Sequence, residues 1–145
     1  MEMIDLSKIT PLQISSILNN FLIDHEIDED DNDVVVDDIS RFYIRINKEK
    51  GVIEFYTNMR INEKKELSTL DTYEFITRLN IVSDTVNYAM IAKKGIHCSY
   101  SIPMDGIVNE KFFVKAVKLV TKSLSTTEVL IQDPKGFLTE ISDSE

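Results

Sequence analysis

From Arg41 to Ile61 apolar residues return at every second position on both sides of a short turn. In RFYIRIN, Phe42, Ile44 and Ile46 fall on one side, and Arg41, Tyr43, Arg45 and Asn47 on the other. Beyond KEKG, Ile53, Phe55, Met59 and Ile61 continue the pattern opposite Glu54, Tyr56 and Asn58. Successive side chains of a strand point to opposite faces, so this is a hairpin with one apolar and one polar face. A second alternating pair follows: Val86, Tyr88, Met90 and Ala92, then Ile96, Cys98, Tyr100 and Ile102 across a Lys93-Lys94-Gly95 turn. The apolar faces of such hairpins must be covered, and the stretches around them have the period to do it.

Three segments repeat near 3.6 residues. Thr10 caps the first, with Pro11 at the first helical position, where its missing N–H costs nothing. Leu12, Ile14, Ile17, Leu18, Phe21 and Leu22 form its expected apolar face. Ser68, with Asp71 three residues on, opens a second helix carrying Tyr73, Phe75, Ile76 and Leu79. Asn109 caps a third, in which Phe112, Phe113, Ala116, Val117, Val120 and Leu124 form a stripe and Lys111, Lys115, Lys118 and Lys122 line the outside. Val34 to Val36 add a short strand before the first hairpin. The expected fold is α+β, an antiparallel sheet of about five strands with helices packed on one face, in the order α-β-β-β-α-β-β-α. At 145 residues this is one domain, 1–145, with an acidic loop at 24–38 and a tail at 126–145 expected to fray.

The net charge of −9 comes from one segment. Asp24, Glu26, Asp28, Glu29, Asp30, Asp31, Asp33, Asp37 and Asp38 carry no base among them, while the other 16 acids are matched by 16 bases. A field of that sign repels phosphate backbones and anionic lipid and attracts basic partners. A calcium loop starting at Asp28 fails, because Asp33 stands where the turn glycine belongs and Ile39 where the bidentate acid belongs. No apolar run reaches the length of a membrane span, and MEMIDLSKIT lacks the start of a signal peptide, so a cytoplasmic protein is expected.

No catalytic group emerges. His97 and Cys98 are neighbours in a strand and point to opposite faces, so they cannot act as base and nucleophile, and Cys98 shares its register with core residues. His25, the other histidine, lies in the acidic segment without a set of metal ligands, and the four glycines are isolated, so neither a metal nor a nucleotide cofactor is expected. The better candidate is a surface for another protein: Arg41, Tyr43, Arg45 and Tyr56 on the polar face of the first hairpin, with Asp28, Glu29, Asp30 and Asp31 of the acidic segment. Tyr and Arg are the residues in which interfaces concentrate binding energy. RNA stacking on RFYIR is disfavoured by the lack of basic excess.

The run YAMIAKKGIHCSYSIPMDGIVNEKFFVKAVKLV, Tyr88 to Val120, preceded by YEFITRLN, Tyr73 to Asn80, resembles the YbjN family of bacterial sensory transduction regulators. The resemblance rests on Leu79-Asn80, on Pro103-Met104-Asp105-Gly106, and on Glu110 with Phe112 and Phe113; Ile107 stands where the family often has a second glycine. It implies a fold like that of type III secretion chaperones, small acidic dimers that hold extended segments of other proteins. The expected function is a non-enzymatic protein-interaction module, a regulator or chaperone-like binder of a basic or extended segment. The alternative is an acidic immunity or inhibitor protein that neutralises a basic toxin or nuclease. The apolar faces can close on the chain's own core or on a twin subunit, which leaves a homodimer open.

Overall fold

The computed structural model describes residues 3–61, 67–92 and 95–143. Its elements are β1 (Met3–Asp5), a 3-10 turn (Leu6–Lys8), α1 (Pro11–Asn20), β2 (His25–Asp28), β3 (Asp33–Asp37), β4 (Arg41–Asn47), β5 (Val52–Arg60), α2 (Thr69–Val82), β6 (Asn87–Ala92), β7 (Gly95–Pro103), β8 (Ile107–Asn109), α3 (Glu110–Leu130) and α4 (Pro134–Asp143). The fold is α+β. An antiparallel sheet runs β2-β3-β4-β5-β7-β6, and β1 pairs with β8 in a separate two-stranded ribbon. The expected caps are in place: Thr10 Oγ1 accepts from the Gln13 N–H, Ser68 Oγ from Asp71 and Asn109 Oδ1 from Phe112. The expected turn at Lys93-Lys94 lies outside the described residues. Among the described residues no helix is long and apolar enough to cross a membrane.

The chain divides into two compact units. The first comprises Met1–Thr57 and Tyr100–Thr121. Its register puts Val34 across from Ile44, Val36 from Phe42, and Ile44 from Phe55, giving one buried apolar face. Phe55 is the centre of that face, within 6.5 Å of Phe42 and 5.8 Å of both Tyr100 and Phe113, measured between ring centroids. The junction before α3 is tied down by backbone bonds, Met104 N–H to the Gly51 carbonyl and Leu6 N–H to that of Gly106. Gly106 has φ +90, a conformation that admits glycine without strain. β8 lies between this turn and the start of α3.

The segment 24–38 is not a loop. β2 and β3 pair from His25–Val36 to Asp28–Asp33, and Val34, Val35 and Val36 are all buried. Burial of three valines outweighs like-charge repulsion among side chains that mostly remain in water. Leu12 and Leu22 also depart from expectation. Leu12 lies two positions from Ile14, on the far side of the helix, and Leu22 is past its end at φ +58. The Leu22 N–H bonds Asn19 O and the Ile23 N–H bonds Leu18 O, which is a Schellman closure with leucine at the position that favours glycine. Leu22→Gly is therefore expected to raise stability by about 1 kcal/mol, read as a higher denaturant midpoint with an unchanged m-value. A lower midpoint would contradict the strain.

The second unit comprises Asn58–Ser99 and Lys122–Glu145. Phe75, Ile76 and Leu79 of α2 are buried as expected, whereas Tyr73 is exposed and Thr72 takes the inner position. The tail is helical where fraying was expected. α3 continues to Leu130, Thr127 Oγ1 lies 2.6 Å from the Tyr88 hydroxyl, and Phe137 of α4 meets Phe75 edge-on at 5.5 Å. Asn80 explains the Leu-Asn pair: Leu79 enters the core, and the Asn80 amide donates to Tyr88 O at 2.9 Å and accepts from its N–H at 2.8 Å.

Cys98 is a core thiol, as its register suggested. Burial, helped by Glu128, pushes its pKa from 9.0 up to about 12. The fold thus favours the protonated thiol, and the unfolded chain loses that proton first. This contribution is intact below pH 9 and is lost progressively as pH rises toward 12, on the order of 1 kcal/mol of it by pH 10. Cys98→Ala should flatten the alkaline limb of a stability-versus-pH curve; an unchanged limb would assign the loss to other groups.

Candidate protein-binding face

The polar face of β2 to β5 carries the candidate site, and one residue organises it. Asp33 begins β3 and is only 2% exposed. Arg45 grips it with two parallel bonds, Nε to Oδ1 and Nη2 to Oδ2, each 3.0 Å. The Tyr56 hydroxyl donates to Asp33 Oδ2 at 2.7 Å. A buried carboxylate needs such donors, because an unpaired one would carry a large desolvation cost. The Arg45 guanidinium also lies 5.0 Å from the centroid of the Tyr56 ring, and Tyr43 stacks on that ring at 5.4 Å. Register makes this possible: Val35 lies across from Tyr43 and Tyr43 from Tyr56, so all three share one face.

Electrostatics follow from the same bonds. Burial, then the hydrogen bond to Asp33, pushes the Tyr56 hydroxyl well above the usual phenol range. Arg45 is held above its ordinary value first by its bond to Asp33. Arg41 is raised first by the Tyr43 hydroxyl, and it ion-pairs with Asp37 at 3.3 Å and Glu26 at 3.9 Å. Asp28 has a structural task. Its Oδ1 accepts from the Asp30 N–H at 3.0 Å, and its carbonyl accepts from Asn32, which sits at φ +60, so the turn between β2 and β3 closes on itself. Glu29, Asp30 and Asp31 stand exposed on that turn. Asp31, Asp33 and Arg45 also line a cavity of about 230 Å³ with Ile9, Thr10, Pro11, Asn32, Ile46 and Lys48.

The structure thus brings Arg45, Tyr43 and Tyr56 together, places Arg41 beside them, and puts the Asp28–Asp31 turn at the hairpin end. Asp33 was missed as an organiser, because in a run of acids it reads as one more solvated charge. Nothing on this face offers an activated nucleophile, and among the described residues no group of three or more His, Cys, Asp or Glu could hold a metal ion.

No family model matches the chain, and no curated protein matches it in sequence. Solved structures do. YbjN of E. coli, described as a candidate transcription regulator, superimposes with a TM-score of 0.68 over 81% of this chain and 87% of its own, at 11% identity. This chain has a YbjN-like fold. An uncharacterized protein from Methanothermobacter thermautotrophicus matches at a TM-score of 0.63, covering 87% of this chain and 99% of its own at 15% identity. At such identities the YbjN-like resemblance carries the architecture alone.

Proposed function

We propose that the chain is a non-enzymatic protein-interaction module, a regulator that acts by binding another protein through the Tyr43–Tyr56–Arg45 face and the adjoining Asp28–Asp31 turn. The observation that carries this reading is the buried Asp33 carboxylate, which fixes one arginine and one tyrosine on a half-exposed face. Side chains already held in place lose little freedom on binding, so such a platform contributes more of its contact energy to affinity. Stacked tyrosines beside arginines match the composition of interface anchors. The acidic turn favours a basic or extended partner and opposes nucleic acid and anionic membrane. The regulator description of YbjN agrees with this reading through fold alone.

The test is site-specific photo-crosslinking in cells. A photo-reactive residue at Tyr43 is expected to capture one predominant protein, and one at Leu70, exposed on α2, is not. The capture should weaken in an Arg41→Glu background. Equal capture at both positions, or none at Tyr43, would sink the reading. The acidic turn also supports the inhibitor alternative, and a basic toxin or nuclease as the captured protein would decide for it.

A further inference from the structure

A second surface lies at the end of the β2–β3 hairpin where α1 arrives, opposite the Asp28–Asp31 turn and joined to the Tyr43 face through Arg41. Leu22 is 91% exposed and held at φ +58, so an apolar side chain faces water from a backbone conformation that disfavours it. The Asp37 N–H donates to Asp24 O at 2.9 Å and extends the ladder one step beyond its last pair. Leu22 stands two residues before Asp24 and Ile39 two residues after Asp37, so both lie at this end. Ile39 is 72% exposed. Four exposed carboxylates, Asp24, Glu26, Asp37 and Asp38, accompany the two aliphatic side chains. Arg41 is the base at this end, and it is engaged by Asp37 and Glu26.

We propose that this tip, Leu22 and Ile39 rimmed by Asp24, Glu26, Asp37 and Asp38, docks a basic amphipathic segment of another protein. Apolar residues of the segment cover Leu22 and Ile39, and its lysines or arginines meet the carboxylates. Charge complementarity selects this occupant: the rim repels anionic lipid and acidic peptides. A second copy of the chain does present lysines beside apolar residues on α3, Lys111, Lys115 and Lys118 with Phe112 and Leu119. Tip on helix is a head-to-tail contact, however, and such contacts propagate unless a rotation closes them.

The probe is a fluorescein-labelled synthetic peptide of leucine and lysine in amphipathic helical spacing, followed by anisotropy. Wild-type protein is expected to bind it with an affinity that weakens as salt rises. Leu22→Gly combined with Ile39→Ser should weaken binding by about tenfold or more. That variant stays informative about the tip because relief at residue 22 keeps its melting temperature at or above wild type. Tyr43→Ala should leave the affinity unchanged, which separates this inference from the sheet-face reading. Absence of wild-type binding, equal binding of a leucine–glutamate peptide, or an affinity unaffected by the double variant overturns the proposal. So does concentration-dependent self-association, or binding to anionic vesicles, that the double variant removes while peptide binding persists.

Discussion

Phe113→Ala is expected to lower the free energy of unfolding by about 3–5 kcal/mol, much of the roughly 5–15 kcal/mol that holds a domain together. Phe113 is fully buried and its ring meets Phe55, which in turn touches Phe42 and Tyr100. Truncation removes its own transfer free energy and leaves a hole beside a ring that cannot collapse into it. Phe112 supplies the internal control. It is 47% exposed, so Phe112→Ala should shift the denaturant midpoint little. Equal losses for the two variants would mean that α3 is packed in a different rotation.

Arg45→Ala is expected to cost on the order of 2–3 kcal/mol, less than the 3–5 kcal/mol of a fully buried pair because the arginine side chain is 44% exposed. The loss comes from what remains: Asp33, almost inaccessible, keeps only the Tyr56 hydroxyl of its three side-chain bonds. Removing the carboxylate as well tests that cause. Asp33→Asn with Arg45→Ala should recover part of the single variant's loss in urea unfolding, since the buried charge has gone. A double variant less stable than Arg45→Ala by a full additive increment would show that Asp33 and Arg45 act separately.

The strands β4, β5, β6 and β7 and the starts of three helices were legible because each rests on local chemistry: alternation, or a capping residue one turn before its N–H partner. What was hidden depends on register. Asp33 becomes an organiser only when Val35 pairs with Tyr43, which sets Asp33 opposite Arg45, and nothing within one strand dictates that pairing. β1 and β8, three residues each, are too short for a period to be visible. α4 is a different case. Asp133 Oδ1 accepts from the Gly136 N–H ahead of a helix that starts at Pro134, the same cap-and-proline signal as Thr10-Pro11, and the acidic end of the chain masked it. Periodicity also counts Leu22 as a core residue because it registers residue type without the backbone conformation, and that conformation turned an expected core leucine into an exposed one.

Asn80 has a consequence for how copies of this protein coexist at high concentration. β6 is an outer strand of the sheet, and an outer strand offers unpaired N–H and C=O groups to any passing chain. By occupying both backbone groups of Tyr88, the Asn80 amide stands in for one residue of a missing neighbour strand. A strand arriving from another molecule would have to displace it before adding to the edge, so a single side chain at the end of α2 works against edge-to-edge aggregation, in addition to the register shift of β6 between Met90 and Ala92.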